Sequence, residues 1–377
     1  ADAQPNAGPN RRGLTPRSHL SLVSDATRDR RMSLPREMPD MHVLVLGGTG
    51  LISTAVTRQL VDADHDVTVC NRGESDAQIP DAVEHVRADR FGDNFPSQVA
   101  NVDPDAVIDM LCFSESDAHL AIDAFDGRIE QYVMTSTIDV YRRPVESNPV
   151  AETAPRHPPT SDYGANKTAA EDAIMAAHDR GAFAATILRP WTTYGPHGDG
   201  NLCHTFGVDT TYLRRIRDGE PIVVHGDGTG LWGPCHRRDV AGAYVGAVGN
   251  RAAYGEAYNV TAESVPTWNE YYRTLARALG APEPDLVHIP TEILLEVAPD
   301  RTGFLADHGR YSTIFETTKA RRDLGFEQTI GLERGLREVV DYLRERDAIT
   351  SDDDQFIGSL IAAWRDSTSE FVDLFSG

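Results

Sequence analysis

Tyr163-Gly164-Ala165-Asn166-Lys167 sets a phenol and an ammonium four residues apart. On a helix, positions i and i+4 share one face. An ammonium beside a phenol stabilises phenolate and brings its pKa from about 10 toward neutrality, which makes Tyr163 a usable general acid or base. Of the 36 basic residues only Lys167 and Lys319 are lysines, so a lysine at this spacing stands out from an arginine background. A helix-surface lysine is the plainer alternative. Thr135-Ser136-Thr137 adds hydroxyls at the end of an apolar run, where ligands of open α/β sheets bind. Thr137 is chosen to hold and polarise a substrate oxygen, with Thr135 and Ser136 as alternatives.

A second constellation is Gly47-Gly48-Thr49-Gly50-Leu51-Ile52-Ser53, directly after the apolar run His42–Leu46. Gly47 permits a tight turn and Gly50 lets the backbone approach a pyrophosphate. The helix N-terminus beyond them presents unpaired N–H groups to anionic oxygens. Strand, glycine loop and helix in this order predict dinucleotide binding through Gly47, Thr49, Gly50, Leu51 and Ile52. The next strand ends in Cys70-Asn71-Arg72-Gly73. An acid at that end would bind a ribose 2′-hydroxyl and repel a 2′-phosphate. Neutral Asn71 followed by the planar donor Arg72 favours NADP, with NAD the alternative.

These residues need a frame. His42–Leu46, Asp66–Cys70, Val83–Val86, Ala106–Met110, Gln131–Thr135 and Ala184–Leu188 read as strands. Helical segments are expected near 95–100, 115–126 and 162–180. Such alternation predicts βαβ units and a parallel sheet covered on both faces. After about residue 190 the pattern loosens. A strand at 221–225, a helix from near Asp239, a strand near 257–260 and helices near 267–279 and 331–347 form a smaller lobe. The expected fold class is therefore α/β: a doubly wound, parallel-sheet Rossmann domain over 41–190 and a smaller α/β substrate lobe over 191–350, its segments interleaved with the first. Residues 351–377 read as an amphipathic helix, with Phe356, Leu360, Ile361 and Trp364 at helical spacing. It docks on its own subunit or, alternatively, makes a homodimer contact. Residues 1–40 carry seven arginines against five acids and no apolar period, so they read as a disordered or surface-bound arm.

Composition narrows the function classes. The 377-residue chain has a formal net charge of −22, which argues against nucleic acid and anionic membrane as partners. No run approaches the length of a membrane span. Cys70, Cys112, Cys203 and Cys235 form no metal-ligand spacing and read as free thiols in a reducing cytoplasm, so no metal is expected. Arginine bias and 58 acidic residues together suggest a salt-adapted cytoplasm.

The ordered set GGTGLIS, TSTIDVY, YGANK, LRPWTTYGP, HGDG and RRDVA resembles the extended short-chain dehydrogenase/reductase family, the NAD-dependent epimerase/dehydratase group, over roughly 41–345. The resemblance implies reversible hydride transfer on a sugar-like hydroxyl or ketone substrate. Thr137, Tyr163 and Lys167 would be its catalytic triad, with Lys167 also holding the nicotinamide ribose and Thr135 bordering the cofactor. It further implies that Asp89 and Arg90 contact adenine, Leu111 makes a backbone contact to the cofactor, and Pro190 lines the nicotinamide. Departures bear on the substrate. Ile138-Asp139 replaces the Asp-Glu pair of sugar 4,6-dehydratases. Trp232 stands where nucleotide-sugar enzymes place a pyrophosphate arginine, and Thr192 where they place an asparagine. These changes leave open whether the small-molecule substrate is a nucleotide sugar or another sugar-like molecule. The strand-end NRG and AVIDM also resemble the chloroplast stem-loop RNA-binding proteins. That gives the alternative of a catalytically weak or inactive cofactor-binding protein with an RNA-binding or regulatory role.

The acid excess yields a direct expectation. Screening shortens from about 10 Å at 0.1 M salt to about 3 Å at 1 M, which relieves self-repulsion of the compact state. Melting temperature and activity are both expected to rise from about 0.1 to 1 M KCl. A flat melting temperature with maximal activity in dilute buffer would remove the salt-adapted reading.

Overall fold

The computed structural model describes residues 40–74, 79–350 and 354–376. The expectation of an N-terminal arm therefore lies outside the described residues, save Asp40. Seven strands form one parallel sheet: β1 (His42–Leu46), β2 (Asp66–Asn71), β3 (Glu84–Arg87), β4 (Ala106–Asp109), β5 (Gln131–Thr135), β6 (Ala184–Pro190) and β7 (Glu256–Val260). Their order is β7-β6-β5-β4-β1-β2-β3. The order in which successive strands are laid down reverses between β1 and β4, and a crevice opens at the carboxyl ends of such neighbours. Met110, just beyond β4, and Gly47, just beyond β1, face each other there, and a Cβ on Gly47 would lie 3.4 Å from the Met110 and Leu111 side chains.

Alternation along the strands builds two cores. Val43 and Val45 of β1 join Val67, Val69 and Ile108 on one face, while Leu44 and Leu46 join Val107, Tyr132 and Met134 on the other. α1 (Leu51–Asp62) and the helix Arg237–Ala247 cover the first face. α3 (Glu115–Phe125) and α4 (Asp162–Asp179), which follow the short helix α2 (Phe95–Gln98), cover the second. The sheet is not confined to 41–190. β7 pairs with β6 from Glu256↔Thr186 to Val260↔Pro190, and Tyr258, Asn259 and Val260 are fully buried. Read alone, this segment falls in the looser pattern after residue 190, because its partner strand is some 70 residues away in sequence.

The second lobe has its own core. The parallel pair Ile222–His225 and Leu286–Ile289 packs with the helices Trp268–Leu279 and Leu332–Arg344. Trp232, Trp268, Tyr271 and Tyr272 fill its centre. The C-terminal helix Asp354–Phe375 docks on the same core through Ile357 and Ile361. Phe371, Val372, Leu374 and Phe375 at its far end are exposed. No described helix is long and apolar enough to cross a membrane.

Gly48 shows what the glycine loop requires. Its φ is +70°, and a Cβ there would sit 2.5 Å from Val69 Cγ1 on β2. Gly50 differs: its φ is −83°, and only Ser53 Oγ, at 3.4 Å, approaches its Cβ position. Gly48→Ala is expected to cost about 2 kcal/mol or more in urea unfolding, from left-handed backbone strain plus overpacking. Gly50→Ala is expected to stay within about 0.5 kcal/mol of the parent protein, as surface substitutions do. Equal losses in the two variants would refute this division of roles.

Candidate active site

The carboxyl edge of the sheet opens into a cavity of about 710 Å³. Gly47, Thr49, Gly50, Leu51, Ile52, Asn71, Arg72, Asp89, Arg90, Leu111, Thr135, Thr137, Tyr163, Lys167, Pro190 and Thr192 all border it. Sixteen sequence-selected residues thus converge from separate elements, and only Trp232 of the set stands apart. Trp232 is 1% exposed, stacked on Trp268 at 4.5 Å between ring centroids. Trp191 lies edge-on to it at 5.1 Å and borders the cavity in its place. The expected substrate role of Trp232 is therefore corrected: the indole was needed by the second core, a demand the local motif does not carry.

The glycine loop is held from below. The Gly47 amide donates to the Cys70 carbonyl at 2.8 Å, and Asn71 Nδ2 donates to the Gly47 carbonyl at 2.9 Å. Asn71 Oδ1 accepts the Gly73 amide at 2.7 Å and lies 2.7 Å from His85 Nε2. Asn71 thus fixes the loop instead of reaching outward. Arg72 is exposed and lies 3.0 Å from Glu74. The space over Gly50, at the N-cap of α1, belongs to the cavity. Nothing among the described residues demands a glycine there, whereas a dinucleotide pyrophosphate lying on the helix N-terminus would. The cradle therefore fits such a cofactor.

Arg90 departs from expectation. Arg90 is 2% exposed, with Nε and Nη2 donating to Asp109 Oδ2 at 3.0 and 2.7 Å. Nη2 also donates to the Asp117 carbonyl at 2.8 Å. Its guanidinium is a buried brace, not an outward adenine contact. Tyr132 donates to the same Asp109 oxygen at 2.6 Å, and the Leu111 amide donates to Asp109 Oδ1 at 2.8 Å. Only the carbonyl side of Leu111 is left for a backbone contact. Asp89 is exposed and accepts the Phe91 amide at 3.1 Å.

Thr137, Tyr163 and Lys167 meet at the end of β5. Lys167 Nζ donates to the carbonyls of Cys112 at 2.6 Å and Thr135 at 2.8 Å. It lies 4.8 Å from the Phe113 ring centroid and 6.0 Å from that of Tyr163. Burial lowers its pKa. Tyr163 is pushed up to about 12, first by burial and then by the Asp139 carboxylate, against a hydrogen bond with Thr137 that pulls it down. The expected lowering of this phenol by Lys167 is thus corrected. The ammonium is committed to two carbonyls, and a carboxylate stands nearer in effect. At neutral pH the phenol carries its proton.

Glu171 was not singled out, although it continues the Tyr163–Lys167 stripe by four more residues. It is 2% exposed and accepts Ser136 Oγ at 2.5 Å, Arg189 Nε at 2.8 Å and Arg189 Nη2 at 2.6 Å. Arg156 adds a contact at 3.1 Å. The carboxylate joins α4 to the ends of β5 and β6. Tyr244 was also missed; its hydroxyl donates to Thr135 Oγ1 at 3.0 Å. Asp139 and His308 border the cavity as well, with Asp139 Oδ1 3.2 Å from both His308 Nδ1 and Arg143 Nη1. Spacing alone could not join Tyr244 to Thr135 or His308 to Asp139, which lie far apart in the chain.

Residues 43–261 match the model of the NAD-dependent epimerase/dehydratase family. The chain belongs to that family. It is 33% identical over 283 residues to 2′-dehydrokanamycin reductase of Streptomyces kanamyceticus, covering 74% of this chain and 78% of the relative. It is 25% identical over 314 residues to the chloroplast stem-loop binding protein of 41 kDa b from Arabidopsis thaliana, covering 79% and 78%. Among solved structures, a UDP-glucuronic acid 4-epimerase from Bacillus cereus in complex with NAD superposes with a TM-score of 0.65 at 17% identity, over 81% of this chain and 99% of that one. The fold is thus the doubly wound one expected, and the family is one of NAD-dependent enzymes.

Removing one partner from a buried ion pair leaves an uncompensated charge, at a cost of about 3–5 kcal/mol. Glu171→Gln is expected to lose that much in denaturant unfolding. Exposed Asp172, which pairs with Arg156 at 2.7 Å, serves as the control: Asp172→Asn should lose at most about 1 kcal/mol. Similar losses for both would show that Glu171 is not the tie between these elements.

Proposed function

We propose that this protein is an NAD(P)-dependent oxidoreductase or epimerase that works by reversible hydride transfer on a sugar-like hydroxyl or ketone, favouring reduction. The observation that carries this reading is the convergence of Thr137, Tyr163 and Lys167 on one cavity with the Gly50 cradle. A bound nicotinamide dinucleotide supplies the hydride chemistry. Gly47, Thr49, Gly50, Leu51 and Ile52 hold its pyrophosphate end, and Lys167, Thr135 and Pro190 border its nicotinamide end. Thr137 positions the substrate oxygen by hydrogen bonding. Tyr163 gives that oxygen a proton in reduction and removes it in oxidation. At neutral pH the phenol carries the proton that a ketone receives in reduction. Identity of 33% to a reductase supports the same direction.

NADP is favoured because the end of β2 offers Asn71 and Arg72 and no acid at the strand end itself. The side chain of Arg87 also lies close to Gly73, where an added Cβ would be 2.9 Å from its Nε. Glu74 partly offsets Arg72. Four free, buried cysteines support a reducing, cytoplasmic setting. The exposed apolar end of the C-terminal helix supports a homodimer contact. The second reading, a weak or inactive cofactor-binding protein with an RNA-binding role, rests on the 25% identity to the stem-loop binding protein. The net charge of −22 and the complete Thr/Tyr/Lys set weigh against it.

The test is a screen of sugar ketones, sugar alcohols and nucleotide sugars with NADH and NADPH and their oxidised forms, in low and high salt. Turnover is expected with at least one sugar-like substrate, and NADPH is expected to bind more tightly than NADH. Tyr163→Phe should lower kcat about 100-fold or more while cofactor affinity changes little. Retention of more than about a tenth of the activity would exclude Tyr163 as the proton donor.

A further inference from the structure

We propose that His308, oriented by Asp139, selects the substrate: its Nε2 accepts a hydrogen bond from a hydroxyl or amine hydrogen next to the carbon whose oxygen Tyr163 holds. The inference rests on the oxidoreductase reading and adds the chemistry that the second lobe recognises.

His308 belongs to the five-residue π-helical segment Leu305–Gly309. Such segments are rare and concentrate at functional sites. The imidazole borders the cavity beside Phe304, whose ring centroid is 5.6 Å away. Its Nδ1 lies 3.2 Å from Asp139 Oδ1, at an angle short of a full hydrogen bond. Catalytic contacts are often this loose before a substrate tightens them. Arg143, with a 2% exposed side chain, holds the same carboxylate from the other side at 3.2 Å. Asp139 is placed by Thr137, whose hydroxyl accepts the Asp139 amide at 3.2 Å. The turn that presents the substrate-holding hydroxyl therefore also presents the carboxylate that orients His308.

The charged groups facing the imidazole are Asp139, Arg143 and Asp307. Burial lowers its pKa and Arg143 adds to this, while Asp139 and Asp307 oppose it, with a net lowering. The ring is neutral at neutral pH. With one nitrogen turned to a carboxylate, its proton belongs on Nδ1, and Nε2 keeps a lone pair for the cavity. The rest of the second-lobe wall agrees. Trp191 offers a flat face, and Thr192, Asn201 and Cys203 offer small polar groups. No Arg or Lys from this lobe borders the cavity among the described residues, so a diphosphate finds no counter-charge there. A neutral or amine-bearing polyol ring fits this wall.

Two measurements on the full chain test the proposal. The first is the nitrogen-15 and carbon-13 NMR titration of the histidine rings, with His308 assigned by its loss in His308→Gln. A proton on Nδ1 at pH 7 is expected, with titration below 6.5 that moves lower still in Asp139→Asn, since the carboxylate raises this pKa. A proton on Nε2, or an imidazolium at pH 7, overturns the proposal. This arm needs no turnover, so it stands apart from failure of the substrate screen. The second arm uses the best substrate found in the screen and its deoxy analogues. In His308→Gln, KM should rise about 10-fold and by more than kcat falls, the worth of one hydrogen bond. The parent protein should reject one deoxy analogue by a similar factor, and the variant should not. Asp139→Asn should shift the acid and alkaline limbs of the kcat/KM profile both downward, because Asp139 raises His308 and Tyr163 alike. Unchanged KM and unchanged discrimination in His308→Gln also overturn it.

Discussion

The Glu171 carboxylate is the constraint on which the catalytic geometry depends. A buried carboxylate is costly to desolvate, and its cost is offset only while its partners remain in place. Here those partners are Ser136 at the end of β5, Arg189 near the end of β6, and Arg156 in the connection before α4. Ser136 sits between Thr135 and Thr137, and Glu171 sits two helical turns beyond Tyr163. The tie therefore fixes the register of α4 against β5, with Ser136 at the cavity edge and the Glu171 carboxylate behind it. Arg189 extends it further, donating to the Tyr141 hydroxyl at 2.8 Å, and Tyr141 donates in turn to Asn259 of β7 at 2.6 Å.

A matching brace supports the other half of the crevice. Asp109 ends β4 and gathers Arg90, Tyr132 and the Leu111 amide. Both braces lie beneath the carboxyl edge of the sheet, where parallel strands end and backbone groups lose their neighbours. Buried charge placed there orients loops that hydrophobic packing alone would leave loose. The cavity walls are then free to carry hydroxyls, an exposed arginine and aromatic faces.

Much of this was legible in the sequence because it is local. The β1 and β5 boundaries follow from apolar runs that end at Gly47 and Ser136. The Tyr163–Lys167 pair follows from helical spacing within one element. What escaped was set by partners distant in the chain. Trp232 is claimed by Trp268, Arg90 by Asp109, and β7 by β6. Gly48 looked ordinary beside Gly47 and Gly50, because the Val69 side chain it must clear lies on another strand. Glu171 alone was within reach, since it repeats the spacing that picked out Lys167.

The role of Lys167 changes most on moving from sequence to structure, and the change bears on direction. Spacing suggested an ammonium that would ionise Tyr163. Instead the ammonium bridges the Cys112 and Thr135 carbonyls, joining the loop after β4 to the end of β5. Burial, and after it the Asp139 carboxylate, raise the pKa of the phenol. Oxidation of an alcohol needs the phenol to have lost its proton, which a raised pKa disfavours. Reduction of a ketone needs the proton that is already there. One carboxylate, Asp139, thus bears on both groups, raising the pKa of Tyr163 and of His308 alike. Donor and acceptor face the same space, as a substrate with a carbonyl and a neighbouring hydroxyl or amine requires.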